Sequence, residues 1–424
     1  MYKRVVSQKI IDRTMKIKIA LPVQILIALV LGVLFGIFAH EYVKYVSWAG
    51  EMFLRFLKMI VIPIVFSSMV VGVASLGNQG GLGRIAGKTF AFYVSTTVVA
   101  TIIGLLLVNI LQPGVGSSLI SQADSAAQVA TAEKVSLGQQ IINIIPSNIF
   151  EALTKGDLLS VIFFAILFGY FVTQVGEKAR TTIVDVFQAV FDVIMKITLA
   201  VIKLAPYGVF SIVAKMISQQ AGDMDKLMEI AQSLGMFVAI VWGGCMIQFF
   251  IVLPGTVYFI GKENPWRHMK KMSTAILTAF STCSSGAALP ISLKDSQEKC
   301  GISNRIASFT LPLGATINMN GTALYEGVAV IFISQVYGID LSIMEQIIIL
   351  VTVLFSAIGA ASIPMAGLVM LSVAISVAGL PMEGIGLVLA VEQLCDMPRT
   401  ATNSYGDMCG AVVIAKSEGE KLTI

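Results

Sequence analysis

The sequence predicts an all-α integral membrane protein with eight transmembrane helices and two helical hairpins that re-enter the bilayer from opposite sides. Three observations lead to this prediction. Hydrophobic residues make up 56% of the 424 residues and charged residues only 13%, about half the charged share of a soluble protein. Ten apolar runs of the sequence approach or exceed the ~20 residues that cross a bilayer as a helix. The last four of these runs are interrupted by small and polar residues.

The composition excludes several classes of function. The formal net charge is +4, and loop charge of this kind sets membrane orientation, so nucleic acid is not an expected partner. The five cysteines show no CxxC spacing and are expected to be reduced. With two histidines, a histidine-based metal site or catalytic triad is not expected. The basic N-terminal segment leads into a full-length apolar span, so we expect no cleaved signal peptide and one membrane unit over 1–424.

Six continuous apolar runs come first in the chain. They lie at about 19–39, 52–76, 89–111, 158–175, 184–204 and 236–261. The four interrupted runs follow at about 272–292, 306–338, 347–380 and 384–415. Their interruptions read "STCSSGAALP", "TINMNGTALYE", "AIGAASIPMAG" and "EQLCDMPRTATNSYGD".

Basic residues in the loops predict the orientation, because the positive-inside rule places them in the cytoplasm. They cluster in the N-terminal segment and at 84–88, 178–180, 262–271 and 294–305. The run at 272–292 has such charge on both sides, which predicts a hairpin turning near "CSSGAA". By the same logic 306–338 crosses outward and 347–380 is a hairpin from the outside, turning near "GAASIP". The run at 384–415 then returns, so both termini are cytoplasmic.

Two opposed hairpin tips and a broken helix are typical of inverted repeats with a binding site at the membrane midplane. Non-helical backbone at this depth is tolerated only where protein buries it or it lines a cavity. The alternative is that the interruptions are packing kinks.

The last run carries a polar face. Its six polar side chains share an arc of about 100° on one helix, and charges at this depth usually face a cavity. They are Glu392, Asp396, Arg399, Thr400, Asn403 and Asp407. The alternative is that Asp396 and Arg399 simply neutralise each other as an i,i+3 pair.

The residue types on this face predict the ligand. Arg399 offers a planar fork that suits a carboxylate, and Asp396 can accept from an ammonium group. Asn403 and Thr400 add neutral hydrogen bonds, and Asp407 offers hard oxygen to an alkali cation. A zwitterion with an extra carboxylate, such as glutamate or aspartate, fits this set.

The hairpin tips add hydroxyl groups and exposed backbone. Ser284 and Ser285 lie at the first tip and the chain from 359 to 367 at the second, and exposed amides at helix ends bind anions. Either tip could instead be a packing point of small residues.

These motifs resemble a known family. "SSGAALP", "LPLGATINMNGTALYE", "SIPMAGLVM" and "DMPRTATNSYGD" are similar to the dicarboxylate/amino acid:cation symporters, which include the excitatory amino-acid transporters. The likeness runs from about residue 55 to the C-terminus. It implies an elevator-type homotrimer that imports acidic amino acids with sodium, in the plasma membrane or the bacterial inner membrane. It also implies no enzyme activity and no organic cofactor.

The resemblance implies two portions of the chain. A scaffold portion would comprise about 17–80 and 140–216, and a moving transport portion about 85–112 and 230–416. The implied substrate-binding residues lie in the second of these. They are Ser284, Ser285, Thr322, Gly367, Asp396, Arg399, Thr400 and Asn403.

Roles are carried over in the same way. Asp396 would bind the ammonium group and Arg399 the side-chain carboxylate, while the α-carboxylate would meet Asn403 and the Ser285 region. Three sodium sites are implied. The first would use Gly314, Asn318, Asn403 and Asp407, the second would lie near Thr316 and Met319, and the third near Tyr93, Thr96, Thr97, Asn318 and Asn320.

The chain departs from the family pattern at several positions. Asn320 stands where the family usually has aspartate, which predicts weaker sodium dependence or a lower sodium-to-substrate ratio. Glu326 stands where many prokaryotic relatives have glutamine, and it is a candidate proton carrier because a charge at this depth is costly. The alternative is a permanently protonated core glutamate. Cys283 and Met397 occupy the two positions where relatives carry a second arginine, which predicts modest affinity.

Other functions fit the residues less well. Arg399 disfavours a neutral amino-acid symporter, and Asp396 disfavours a carrier of C4-dicarboxylates. An ion channel could use similar broken helices, and a membrane enzyme would need a residue to activate the thiol and hydroxyls of "TCSSGA".

Overall fold

The computed structural model describes residues 21–76, 83–116, 142, 145–155, 158–218, 223–359 and 366–424. Every regular element in these ranges is helical, which confirms the all-helical class. Three helices in these ranges, at 47–74, 84–111 and 227–259, are long and apolar enough to cross a membrane.

The first three helices occupy the predicted apolar runs. Helix α1 spans Leu21–Phe38, a 3₁₀ turn spans His40–Tyr45, α2 spans Ser47–Leu76 and α3 spans Gly83–Leu111. Helix α2 contains an internal proline, Pro63, whose carbonyl accepts a hydrogen bond from Ser67 Oγ at 2.7 Å.

Four helices follow in the next part of the chain. Helix α4 spans Ile149–Lys155, α5 spans Leu158–Val172, α6 spans Glu177–Ile202 and α7 spans Ala205–Ser218. The last two meet at a bend of 52°. The predicted apolar run ended at residue 204, and α7 was not predicted.

Helices α1, α2, α5, α6 and α7 pack together as one body. The backbones of α1 and α7 approach closely because glycine faces the contact: a methyl group at Gly36 would lie 2.7 Å from Ile217 Cβ.

The run predicted at 236–261 is a longer helix with a local widening. Helix α8 spans Met224–Ile247, a π-helical turn spans Gln248–Val252 and α9 spans Leu253–Phe259. Single π turns inside α-helices are frequent at functional sites.

A helical hairpin forms where the sequence predicts one. Helix α10 spans Pro265–Thr282, α11 spans Ser285–Glu298, and the two pack against each other. The turn is sharp because Cys283 adopts a left-handed conformation with φ of 51°. Ser284 then caps α11, its side chain accepting from the backbone N–H of Ala287 at 3.3 Å.

The predicted break in the next run is real but shorter than expected. Helix α12 spans Asn304–Ile317 and α13 spans Asn320–Val336, so only residues 318 and 319 are non-helical. The predicted interruption covered 316–326. Most of that polar stretch is helical because its side chains bond to neighbouring helices without breaking the backbone ladder.

The remaining elements complete the predicted order. Helix α14 spans Ile343–Gly359 and α15 spans Ala366–Val377, and they pack together; most of the predicted tip, residues 360–365, lies outside the described residues. A 3₁₀ turn at Met382–Gly384 and helix α16 at Ile385–Leu389 precede α17, which spans Glu392–Ser417.

Residues 418–424, here called the C-terminal tail, tie several helices together. Glu418 forms ion pairs with Arg84 at 2.5 Å and Lys88 at 2.7 Å, both in α3. Glu420 accepts from the backbone N–H of Ser303, the N-cap of α12, at 3.0 Å. Thr423 donates its backbone N–H to the carbonyl of Cys300 at 3.0 Å. The tail thus connects α3 and the hairpin of α10 and α11 to the end of α17.

Candidate functional site

The polar face of α17 lies inside the protein. Its six polar side chains are each 5% exposed or less, so the predicted interior position is confirmed. Helices α10, α11, α12 and α13 pack against α17. They enclose a polar region in a body that is otherwise apolar.

Arg399 is bound by two carboxylates of its own helix. Its Nη2 donates to Glu392 Oε1 and to Asp396 Oδ1, both at 2.8 Å, and its Nε donates to Asp396 at 3.2 Å. The guanidinium carbon lies 4.6 Å from the ring centre of Tyr325, within the range of cation–π attraction. The i,i+3 pair that the sequence left open is therefore present, and Glu392 extends it to a triad.

The triad keeps three polar atoms without hydrogen-bond partners. They are Arg399 Nη1, Asp396 Oδ2 and Glu392 Oε2. Buried polar atoms are rarely left unpaired, and this set of one donor and two acceptors has the chemistry to bond to groups of both charges.

Gly367 lies directly against the unpaired nitrogen. A methyl group at this position would lie 2.5 Å from Arg399 Nη1. Only glycine allows α15 to approach the guanidinium so closely. The structure thus brings Gly367 to the predicted site.

Asn403 joins α17 to the start of α13. Its Oδ1 accepts from the backbone N–H of Gly321 at 2.7 Å, and its Nδ2 donates to Thr322 Oγ1 at 3.0 Å. Thr400 Oγ1 donates to Asp396 Oδ1 at 2.9 Å. Thr400 therefore contacts the triad directly, and Asn403 and Thr322 bond to each other, with both polar groups of Asn403 already engaged.

The tip of the first hairpin lies beside the start of α17. Gln393 Nε2 donates to Cys283 Sγ at 3.3 Å, which connects the tip to the helix that holds the triad. Ser285 is buried at the first position of α11 and Ser284 is partly buried at its N-cap. Both predicted serines are thus placed within the same region.

Oxygen atoms converge around Asp407. Asn318 Nδ2 donates to Asp407 Oδ1 at 2.9 Å, and Asn318 Oδ1 has no partner. A methyl group at Gly314 would lie 2.5 Å from Asp407 Oδ1 and 2.7 Å from Tyr93 Oη. Carboxylate and amide oxygens of this kind suit a hard cation. Three residues of the first predicted sodium site, Gly314, Asn318 and Asp407, therefore lie together, next to Tyr93 of the third.

Two residues of the third predicted sodium site, Thr97 and Asn320, bond to each other. Thr97 Oγ1 donates to Asn320 Oδ1 at 2.7 Å, while Asn320 Nδ2 is unpaired. A methyl group at Gly406 would lie 2.7 Å from both that nitrogen and Asn318 Nδ2. Asn320 therefore presents a donor beside the cation residues, where a carboxylate would present an acceptor.

The residues of the second predicted sodium site differ in burial. Thr316 is exposed and its hydroxyl donates to the carbonyl of Leu313 at 2.9 Å. Met319 is buried, and its sulfur accepts from Asn403 Nδ2 at 3.4 Å. Of these two residues, Met319 is the one that contacts Asn403, on the helix that holds the triad.

Glu326 is fully buried between α13 and α14. Its Oε2 lies 3.0 Å from Ser356 Oγ, and that hydroxyl also lies 3.1 Å from the carbonyl of Val353. Glu326 Oε1 has no hydrogen-bond partner. Because the hydroxyl has a single hydrogen, it can donate to a charged Glu326 or turn to Val353 and accept from a protonated one.

Sequence reasoning missed Gln248. This side chain is buried in the π turn of α8, and its Nε2 donates to the carbonyl of Thr96 at 3.1 Å while its Oε1 is unpaired. Thr96, whose hydroxyl donates to Phe92 O at 3.0 Å, is a predicted cation residue. An amide within the apolar stretch "GGCMIQFFIVLPG" was a signal that could have found it.

Together these features define an all-helical protein with several long apolar helices and a buried cluster of charged side chains beside a helix break. Comparison with known proteins gives its family. The Sodium:dicarboxylate symporter family matches residues 21–417, and this chain belongs to it.

Individual relatives cover nearly the whole chain. The Proton/sodium-glutamate symport protein of Geobacillus stearothermophilus is 36% identical over 95% of this chain and 96% of its own length. The Proton/glutamate-aspartate symporter of Escherichia coli is 33% identical over 95% and 94%. Excitatory amino acid transporter 3 of Mus musculus is 33% identical over 93% and 85%.

Proposed function

We propose that this protein is a secondary active symporter that imports glutamate, aspartate or both, coupled to sodium. The observation that carries the proposal is the triad: Arg399 Nη1 and Asp396 Oδ2 are both buried without a hydrogen-bond partner, on residues one turn apart in one helix. The relatives that are named as glutamate or glutamate-aspartate symporters support the same substrate class.

The pocket offers opposite charges to opposite ends of an acidic amino acid. The substrate's side-chain carboxylate would accept from the free nitrogen of Arg399, a charge-assisted bond. Its ammonium group would donate to Asp396. The α-carboxylate would meet the backbone and hydroxyl groups at Ser285, and Thr322 and Thr400 would line the pocket.

Charge balance explains why such a protein needs cations. The described interior around the pocket holds four carboxyl groups and one guanidinium, namely Glu326, Glu392, Asp396, Asp407 and Arg399. An acidic amino acid brings one further negative charge. Because unpaired buried charge is costly, substrate entry becomes favourable when cations enter with it.

Sodium would bind first where the oxygens converge, at Gly314, Asn318, Asp407 and the Asn403 segment. A second ion would lie near Met319 and Thr316. At the third predicted position, near Tyr93, Thr96 and Thr97, the amide of Asn320 supplies less negative charge than a carboxylate. We therefore propose a lower sodium-to-substrate ratio than in relatives with aspartate at that position.

Glu326 would carry a proton in addition. Ser356 can serve either protonation state of the carboxyl group, as donor or as acceptor. The relatives named as proton symporters are consistent with this role.

The architecture would be that of an elevator in a multi-pass protein of the cell membrane, with eight spans, two re-entrant hairpins and cytoplasmic termini. Helices α1, α2, α5, α6 and α7 would form a scaffold and the homotrimer contacts. The pocket helices, bound to α3 by the C-terminal tail, would move through it. The close packing within each group supports this division.

One assay tests the proposal. The purified protein is placed in proteoliposomes, and uptake of labelled glutamate and aspartate is measured while sodium, proton and potassium gradients are imposed one at a time. Saturable uptake that a sodium gradient drives is expected for the wild type, and its loss in Asp396→Asn. Non-saturable flux independent of gradients would indicate a channel instead.

A further inference from the structure

A groove opens where α9 ends and α10 begins. Its volume is about 800 Å³, and its lining includes Tyr258, Phe259, Lys262 and Trp266. It lies at the end of the long apolar helix at 227–259, next to the basic stretch from 262 to 271. The positive-inside rule places such a stretch at the cytoplasmic face, so the groove lies at a membrane–water boundary.

The walls of the groove are aromatic and exposed. Tyr258 is 59% exposed, Phe259 76% and Trp266 58%. Large exposed apolar side chains in a contiguous patch mark a contact with membrane or protein. Tyrosine and tryptophan at the end of a span are typical of the lipid headgroup level.

The charges around the groove are positive and unpaired. Lys262, Arg267 and Lys270 are exposed and form no side-chain hydrogen bond or ion pair with the described part of the chain. The nearby acid, Glu263, is already paired with Lys416 at 3.0 Å. The groove therefore has a surplus of cations that its own residues do not neutralise.

The backbone holds Lys262 in an uncommon conformation. Its φ is 52°, in the left-handed region that residues other than glycine seldom adopt. A left-handed residue commonly follows the end of a helix, and here the N–H of Glu263 donates to the carbonyl of Val257 at 3.2 Å. Here the conformation lies at the corner between the apolar span and the basic stretch.

We propose that this groove binds an anionic phospholipid, with the phosphate group at Lys262 and an acyl chain along Phe259 and Tyr258. The aromatic walls match an acyl chain and the unpaired cations match a net negative headgroup. A free phosphate would use only the cations, and a zwitterionic lipid would bring no net charge.

The lipid would act on the pocket through the helices that it touches. Helices α9 and α10 both pack against α17, which holds the triad. Helix α10 is also the first arm of the hairpin whose tip carries Ser284 and Ser285. A lipid seated between α9 and α10 would hold this corner of the structure together. The site itself does not depend on which substrate the protein transports.

Native mass spectrometry of the full-length protein in detergent tests the proposal. Phosphatidylglycerol and phosphatidylcholine of equal chain length are titrated separately onto the wild type, the double variant Lys262→Gln/Trp266→Ala, and Lys294→Gln. Lys294 is a matched control because it is an exposed lysine, 68% exposed, with only a 3.9 Å contact to Glu298. Thermal unfolding of each variant establishes that it is folded.

We expect the wild type and Lys294→Gln to retain a phosphatidylglycerol adduct. The double variant should bind phosphatidylglycerol with at least fivefold lower affinity. Phosphatidylcholine should bind weakly to all three proteins. Equal binding of both lipids, or equal phosphatidylglycerol binding by all three proteins, would overturn the proposal. Full displacement of the lipid by millimolar inorganic phosphate would also overturn it, since the acyl chain would then contribute nothing. The proposal would also be overturned if two copies of the protein associated through this surface, and if Lys262→Gln/Trp266→Ala abolished that association without changing lipid binding.

Discussion

Arg399 and Glu392 are joined by a 2.8 Å ion pair inside the protein, seven residues apart on one helix. The carboxylate of Glu392 neutralises the guanidinium from its Nη2 side, while a substrate carboxylate would bind the free Nη1 of the same group. It therefore competes with substrate for the guanidinium.

We expect Glu392→Gln to lower the KM for aspartate by about three- to tenfold, because a neutral amide accepts a weaker bond than a carboxylate. Gln keeps an oxygen at the same place, so Arg399 stays oriented. Initial rates of labelled aspartate uptake in proteoliposomes give the KM. Glu298→Gln, which changes an exposed carboxylate, is the control. A higher KM in Glu392→Gln would show that Glu392 orients Arg399 more than it competes.

Arg399→Lys should raise the KM for aspartate by tenfold or more. A lysine keeps the positive charge, so the carboxylates of Asp396 and Glu392 remain partly compensated, but it cannot form the planar fork. The same uptake assay, with the amount of folded protein measured by size-exclusion chromatography, separates binding from loss of fold. An unchanged KM would remove Arg399 from the proposed site.

The C-terminal tail should stabilise the fold in a pH-dependent way. Hydrogen bonds from Lys88 and Arg84 lower the pKa of Glu418. A carboxyl group whose pKa is lower in the folded state stabilises the fold above its unfolded pKa, and this contribution is lost as pH falls through the folded pKa.

Glu418→Gln should therefore unfold about 1–3 °C below the wild type at neutral pH, as expected for exposed ion pairs. The difference should vanish in acid. Thermal unfolding followed by tryptophan fluorescence at several pH values measures it, with Glu298→Gln again as control. A difference that persists below the folded pKa would contradict the ion-pair explanation.

The features that the sequence predicted best follow from the geometry of a single helix. The polar face from Glu392 to Asp407 could be predicted because side-chain direction repeats every 3.6 residues. The turn at Cys283 and the break at Asn318 could be located because small and polar residues interrupt apolar runs. Contacts between distant segments do not follow from such patterns.

Gln248 illustrates the limit. Its hydrogen bond to Thr96 joins residues 152 positions apart and depends on a π turn that periodicity does not show. The bend between α6 and α7 was missed although Pro206 stands directly after it; a proline disfavours helical backbone in the residue before it, so this residue was a signal that could have located the bend. Thr316 was placed toward a cation, yet its side chain is exposed, because the break begins two residues later than the predicted interruption.

Glu326→Gln should remove the pH dependence of uptake. If Glu326 carries a proton, wild-type uptake falls as the external pH rises, because fewer carriers are loaded. Glutamine cannot titrate but can still accept from Ser356, so folding should be preserved. Uptake of aspartate at saturating sodium is measured from pH 5.5 to 8.5, with Glu345→Gln as a control on the neighbouring helix. Identical pH profiles for wild type and Glu326→Gln would support the permanently protonated core glutamate instead.

Asn320→Asp should strengthen the coupling to sodium. The hydroxyl of Thr97 donates to Asn320 Oδ1 at 2.7 Å, and an aspartate oxygen can accept the same bond. The unpaired Nδ2 is replaced by a second oxygen, which turns a donor into a ligand for a hard cation. We expect the Hill coefficient for sodium to rise by about one and the sodium concentration at half-maximal uptake to fall. Sodium titrations of aspartate uptake at fixed pH measure both quantities.

The matched control is Asn109→Asp. It changes an amide that is paired with Gln346 at 2.8 Å and lies away from the cation residues. If Asn320→Asp leaves the Hill coefficient unchanged while uptake persists, the amide already serves as a full sodium ligand, and the coupling ratio of this chain equals that of its aspartate-bearing relatives.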